Sequence, residues 1–113
     1  MTEKDIEKVH HSTFERLKHS DPDMQEFWHA RDLQEALDYG SWDKFSRVVL
    51  KAMEACRNSG HEVDNHFSHM GKMVHLGSGS KREISDYALS RYACYLIVQN
   101  ADPSKSVIAN GQP

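Results

Sequence analysis

The stretch Asp86-Tyr-Ala-Leu-Ser-Arg-Tyr-Ala-Cys-Tyr-Leu-Ile-Val-Gln-Asn-Ala-Asp102 is the longest apolar run in the chain. Ser90 is placed to cap a helix, because its hydroxyl can accept a hydrogen bond from an orphan N–H of the first turn. Ala93, Cys94, Leu96, Ile97 and Asn100 then follow helical spacing, with Tyr92 and Tyr95 widening the apolar face. Pro103 ends the helix, since its ring disfavours helical geometry at Asp102. About eleven residues cannot span a bilayer, which takes roughly twenty. The run is therefore expected to be the central core helix, about residues 90–100, of a small soluble domain whose remaining segments pack around it.

The totals agree with a single domain. A chain of 113 residues, 38% hydrophobic and 27% charged, is long enough to bury a core without disulfides or metal. Cys56 and Cys94 fall on apolar helical faces, so both read as buried thiols. The charged N-terminus has no signal-peptide core, which predicts a cytoplasmic protein with no membrane segment. A net charge of −3 argues mildly against strong nucleic-acid binding, but it hides an asymmetry. Residues 1–40 carry 5 basic and 10 acidic side chains (−5), and residues 41–113 carry 9 and 7 (+2). A phosphate-facing surface is expected in the second part.

Residues 1–12 read as a flexible polar arm and 13–113 as the folded domain. Phe14–Lys18 and Glu26–Ala30 flank the turn-rich Ser20-Asp-Pro-Asp23 and suggest two strands of a hairpin. Arg31–Gly40 is a short amphipathic helix presenting Leu33, Ala36 and Leu37, with Gly40 as its left-handed stop. Ser41 then caps a longer helix that runs to about Arg57, burying Trp42, Phe45, Val49, Ala52, Met53 and Cys56. Its opposite side carries a basic stripe of Lys44, Arg47 and Lys51. Two helices joined this closely have the spacing of a helix-turn-helix, although an amphipathic helix commonly carries Lys and Arg on its wet face.

Val63, Phe67, Met70 and Val74 follow helical spacing up to Gly71, which weakens the last turn. Met73–Gly77 and Arg82–Tyr87 then read as a β-hairpin around Gly77-Ser-Gly-Ser80, with Lys81 and Arg82 at its tip and Lys72 near its base. Ser104–Asn110 would start a last helix with Val107 and Ile108 inward, and the domain reads as truncated there at Pro113.

Motifs for chemistry are sparse. His61, His66, His69 and His75 are a loose group without Cys-x-x-Cys or His-Glu-x-x-His spacing, so surface histidines are the plainer account and no metal or other cofactor is expected. Gly77–Lys81 is not a phosphate-binding loop, because a strand and not a helix follows it. No Gly-x-Ser-x-Gly elbow exists, and the carboxylates Glu62, Asp64 and Asp86 have no visible partner, so no enzyme is expected.

Leu89–Pro103 is similar to a segment of the bacterial DNA-damage-inducible protein D family, which is related to the N-terminal domain of BRO proteins and phage antirepressors. Trp28-His-Ala-Arg-Asp-Leu33 resembles that family's aromatic-x-Ala-Arg-Asp-Leu opening, and Leu37-Asp-Tyr-Gly-Ser-Trp42 its tyrosine turn. Ala52–Cys56, Ser59-Gly60, His66-Phe67, Gly79–Arg82 and Asp86-Tyr87 follow in the same order. The resemblance covers roughly residues 14–112. It implies an α+β domain of short antiparallel strands and helices that binds DNA in a damage response or phage-type regulation. Arg31, Lys81, Arg82 and Arg91 occupy family motif positions. Arg31 could instead pair with Asp32 or Glu35, and Arg91 with Asp86.

Two functions follow. One is a DNA-binding regulatory domain contacting phosphates through Arg31, Lys44, Arg47, Lys51, Lys72, Lys81, Arg82 and Arg91. The other is a protein-interaction module acting on a recombinase or repressor through the acidic residues 1–40 and exposed aromatics such as Trp28 or Tyr39.

Overall fold

A computed structural model describes residues 12–105. In chain order these form a helix over residues 12–17 (α1), strands β1 (His19–Ser20) and β2 (Glu26–His29), and helices α2 (Ala30–Ala36) and α3 (Trp42–Asn58). A 3-10 turn (Val63–Asn65) leads into β3 (Phe67–His75), β4 (Lys81–Leu89) and α4 (Arg91–Asn100). The strands make one antiparallel sheet in the order β1-β2-β4-β3. This is the α+β architecture expected, with both hairpins joined into a single sheet.

The apolar run organises the molecule as its composition requires. Ser90 caps α4, its Oγ accepting the Ala93 N–H at 3.0 Å, and residues 93–98 are all buried. The helix packs on α3 and on β2 and β4. Trp28, Leu89 and Phe67 stand opposite one another across three neighbouring strands and are all buried, giving α4 a continuous apolar floor. Trp28 hydrogen-bonds through Nε1 to the Phe14 carbonyl at 2.7 Å and meets the Phe14 ring edge-on. Cys56 and Cys94 are fully buried, and burial pushes both thiols up, away from nucleophilic use.

Ser41 caps α3 through the Lys44 N–H at 3.2 Å, and Phe45, Val48, Val49, Ala52 and Cys56 form its buried side. Trp42 and Met53 are only half-buried at its margin. The end of α2 differs from expectation. The helix stops at Ala36, and Asp38 takes the left-handed conformation (φ 63°) in place of Gly40. The reason is Tyr39. Its N–H returns to the Gln34 carbonyl and its hydroxyl accepts the Asp102 N–H at 2.8 Å, so the chain must turn before Gly40 is reached.

Two further segments correct the sequence reading. Phe14 and Leu17 lie on a helix, and the first strand of the hairpin falls instead at His19–Ser20, only two residues long. Asp21 closes its turn, with Oδ1 accepting the Asp23 and Gln25 N–H groups, both at 2.9 Å. Val63 opens the 3-10 turn, but Phe67, Met70 and Val74 are on a strand: β3 begins at Phe67 and pairs with β4 over its whole length. Lys72 consequently sits mid-strand opposite Ile84, not at the hairpin base. Residues 76–80 form the tip, where the Leu76 N–H meets the Ser80 carbonyl and Gly79 supplies a φ of 85°. The expected arm lies outside the described residues except for helical Ser12, and so does the last helix beyond the turn at 103–105.

Two polar contacts join the layers. His29, the N-cap residue of α2, has no side-chain capping bond. The fully buried Asp86 supplies one from β4: its Oδ1 accepts the Arg31 N–H at 3.0 Å and its own neighbour's, Tyr87, at 2.8 Å. The other carboxylate oxygen lies 3.2 Å from His29 Nδ1. Nearby, His66 Nδ1 is 2.7 Å from the Ser90 hydroxyl, tying the start of β3 to the cap of α4. Burial, and then the neighbouring His61, lower the His66 pKa.

Two outcomes are expected. In urea titrations Asp86→Ala costs about 2–4 kcal/mol, because it leaves buried N–H groups unpaired, while Asp86→Asn costs less by keeping one acceptor oxygen. His66 is protonated more readily in the unfolded chain than in the fold, so its contribution is complete above about pH 6.5 and is lost as pH falls below it. His66→Gln should flatten the pH dependence of the urea midpoint in that window.

Candidate nucleic-acid interface

The eight expected cations divide by what they touch. Lys44, Arg47 and Lys51 project from the exposed side of α3, within about 60° of one another at 3.6 residues per turn. Lys81 and Arg82 are exposed where β4 leaves the hairpin tip. Among the described residues, none of these five side chains has a hydrogen-bond or ion-pair partner. Their charge is therefore free to meet a polyanion. The α3 face is not purely basic, since Asp43 and Glu54 are also exposed on it, and Leu50 is 58% exposed beside Lys51.

Arg91 and Lys72 are engaged with carboxylates. Arg91 holds Glu26 through two hydrogen bonds of 2.8 and 3.0 Å, lies 3.6 Å from Glu15, and crosses above the Trp28 ring. Its partner is thus Glu26 on β2, not Asp86. The Arg91 hydrogen bonds hold the Glu26 carboxyl below the usual carboxylate range, and Glu26 in turn keeps the guanidinium protonated. Lys72 approaches Asp32 at 3.6 Å, and His19 approaches the same carboxylate at 3.7 Å.

Arg31 belongs to neither group. It pairs with neither Asp32 nor Glu35: its Nε donates to the Ser85 carbonyl at 2.8 Å, and its guanidinium carbon lies 3.9 Å from the centre of the Trp42 ring. The chain's order hid this arrangement, because Ser85 is 54 residues away. Arg57, exposed in the last turn of α3, is a further cation that the stripe spacing passed over.

The other candidate features are placed as follows. His61, His66 and Tyr92 form a cluster of ring contacts, while His69 packs edge-on against Tyr87. No group of three or more His, Cys, Asp or Glu among the described residues could hold a metal ion. Trp28 and Tyr39, expected to be exposed, are buried at 0% and 8%. No described helix is long and apolar enough to cross a membrane.

Residues 16–111 match the BRO family, N-terminal domain. The chain is also 50% identical over 103 residues to DNA damage-inducible protein D of Escherichia coli (strain K12), an alignment covering 91% of this chain and 38% of that relative. It therefore spans well under half of the relative's length. No solved structure matches the chain significantly. With nearly all of the described fold inside the matched span, the chain belongs to the BRO family, as a copy of its N-terminal domain.

Proposed function

We propose that this domain is a DNA-binding regulatory module of a damage response, holding phosphates with Lys44, Arg47 and Lys51 of α3 and with Lys81 and Arg82 of the hairpin. The observation that carries the reading is the availability of those five cations: each is exposed and unpaired among the described residues. Arg91 and Lys72 are consumed by Glu26, Glu15 and Asp32, so in this reading they brace the fold. The family match and the relative named for DNA damage support the same assignment.

Phosphate contacts release counterions from nucleic acid, so most of the affinity is electrostatic and sequence-tolerant. The ligand this reading requires is an extended polyanion, long enough to touch both the helix and the hairpin tip. Positive charge concentrated on residues 41–113 directs the approach, because the excess acid lies in residues 1–40.

A second reading has its own observation. Leu50, Met73 and Leu76 are exposed by 58%, 55% and 43%, on or beside the elements that carry the free cations. Apolar side chains in a basic surface suit an acidic protein partner, so the domain could act on a recombinase or repressor without touching DNA. The acidic, Trp28- and Tyr39-based version of this reading loses its aromatic contacts, since both rings are buried.

Anisotropy titrations of a fluorescent duplex and a single strand, run across a salt series, separate the two. The native chain should bind with an affinity that falls steeply with salt. Lys44→Glu with Arg47→Glu should weaken binding at low salt by about tenfold or more and reduce the log–log salt slope by about 0.9 for each phosphate no longer neutralised. Unchanged binding by that double variant rejects the α3 assignment. A folded native chain that binds neither probe supports the protein-partner reading.

A further inference from the structure

We propose that Arg31, held between the Trp42 ring of α3 and the Ser85 carbonyl of β4, is a preorganised phosphate fork taking one backbone phosphodiester of a bound nucleic acid. The inference rests on the nucleic-acid reading above and assigns one contact within it.

Three contacts fix this residue, and none neutralises its guanidinium. Its backbone N–H is held by Asp86 at 3.0 Å, which spends that carboxylate on the main chain. Its Nε donates to the Ser85 carbonyl at 2.8 Å. Its plane is supported by the Trp42 ring, with 3.9 Å between guanidinium carbon and ring centre. A carbonyl and an aromatic face leave the full positive charge in place, unlike the carboxylates that hold Arg91 and Lys72.

What remains is the outer edge of the guanidinium. Among the described residues, Nη1 and Nη2 have no hydrogen-bond acceptor, and the side chain is half-exposed. Two adjacent N–H groups on a rigid plane match two oxygens of one phosphate, and a lysine cannot reproduce that geometry. Because the fork is already oriented, little rotamer freedom is lost when it closes on a ligand.

Its position suits the same ligand. Trp42 is the first residue of α3 and lies two residues before Lys44; Ser85 lies three residues after Arg82 on β4. Arg31 therefore touches both elements that bear free cations, α3 at its first residue and β4 at Ser85.

The test uses the full chain and a short fluorescent duplex, with Arg31→Lys, Arg31→Gln and Trp42→Leu measured beside the native protein. Arg31→Lys keeps the charge and loses the fork, so affinity should fall about tenfold, the value of one charge-assisted hydrogen-bond pair, while the salt slope stays native. Arg31→Gln should also lower that slope by about 0.9. Trp42→Leu, which leaves Arg31 in the chain and removes its support, should weaken binding with no change of slope. Urea midpoints of the three variants show whether the fold is kept, and Trp42→Leu tests the fork on its own should Arg31→Lys be unstable. Native affinity, within about twofold, for Arg31→Lys or for folded Trp42→Leu overturns the fork while Lys44→Glu with Arg47→Glu still weakens binding. A native chain that binds no nucleic acid overturns the broader reading and the fork together.

Discussion

A buried carboxylate sets the geometry of this domain. Asp86 has no solvent exposure, yet it carries an acceptor into a place where α2 begins without a cap of its own. Leaving such an N–H unpaired inside a protein costs about 1–3 kcal/mol, and leaving the carboxylate without donors costs more. Each group therefore holds the other in place. The consequence is positional: the β2–α2 junction is fixed against β4, and with it the side chain of Arg31, which reaches Ser85 one residue away on the same strand. His29 Nδ1, on the neighbouring strand, lies 3.2 Å from the other carboxylate oxygen without hydrogen-bonding geometry.

From that anchor the cations sort themselves. Those near the sheet and its first helix are drawn into structure: Arg91 to β2 and α1, Lys72 to α2, Arg31 to β4 and α3. Those on the far side of α3 and at the hairpin tip have no carboxylate within ion-pair distance among the described residues. The asymmetry between residues 1–40 and 41–113 is thus partly cancelled at the sheet, where Glu26 and Asp32 meet cations from the later part, and persists at α3 and the tip.

Much of the fold was legible in the chain because it is written in local physics. Ser90 and Ser41 announce α4 and α3, and the apolar residues behind them repeat at the period of a helix. Where reading failed, a contact distant in sequence decided the outcome. Tyr39 is pulled inward by Asp102, 63 residues on, and this moved the left-handed residue from Gly40 to Asp38. In β3 a spacing of four, three and four imitated a helix. The true alternation is faint there because the outer half of the hairpin is largely exposed on both faces, so neither face demands apolar residues. Phe14 and Leu17 looked like a strand beside a turn, but the Trp28 indole draws the Phe14 carbonyl into the core from a helix. The candidate site shows the same division. Residue type and spacing identified the free cations of α3 and the tip, whereas the partners of Arg91 and Arg31 lie 65 and 54 residues away and could not be read from neighbours.

If α3, the hairpin tip and Arg31 all contact one nucleic acid, a bound duplex must perturb all three together. Nitrogen-edited NMR spectra of the full chain, recorded while a short duplex is added at low salt, report on each of them separately. Shifts should concentrate at the backbone amides of Lys44, Arg47, Lys51, Lys81 and Arg82 and at the side-chain signals of Arg31 and Trp42. Shifts confined instead to the acid-rich turn at Asp21–Asp23 and to α1, with α3 and the tip unmoved, would show that the duplex docks elsewhere.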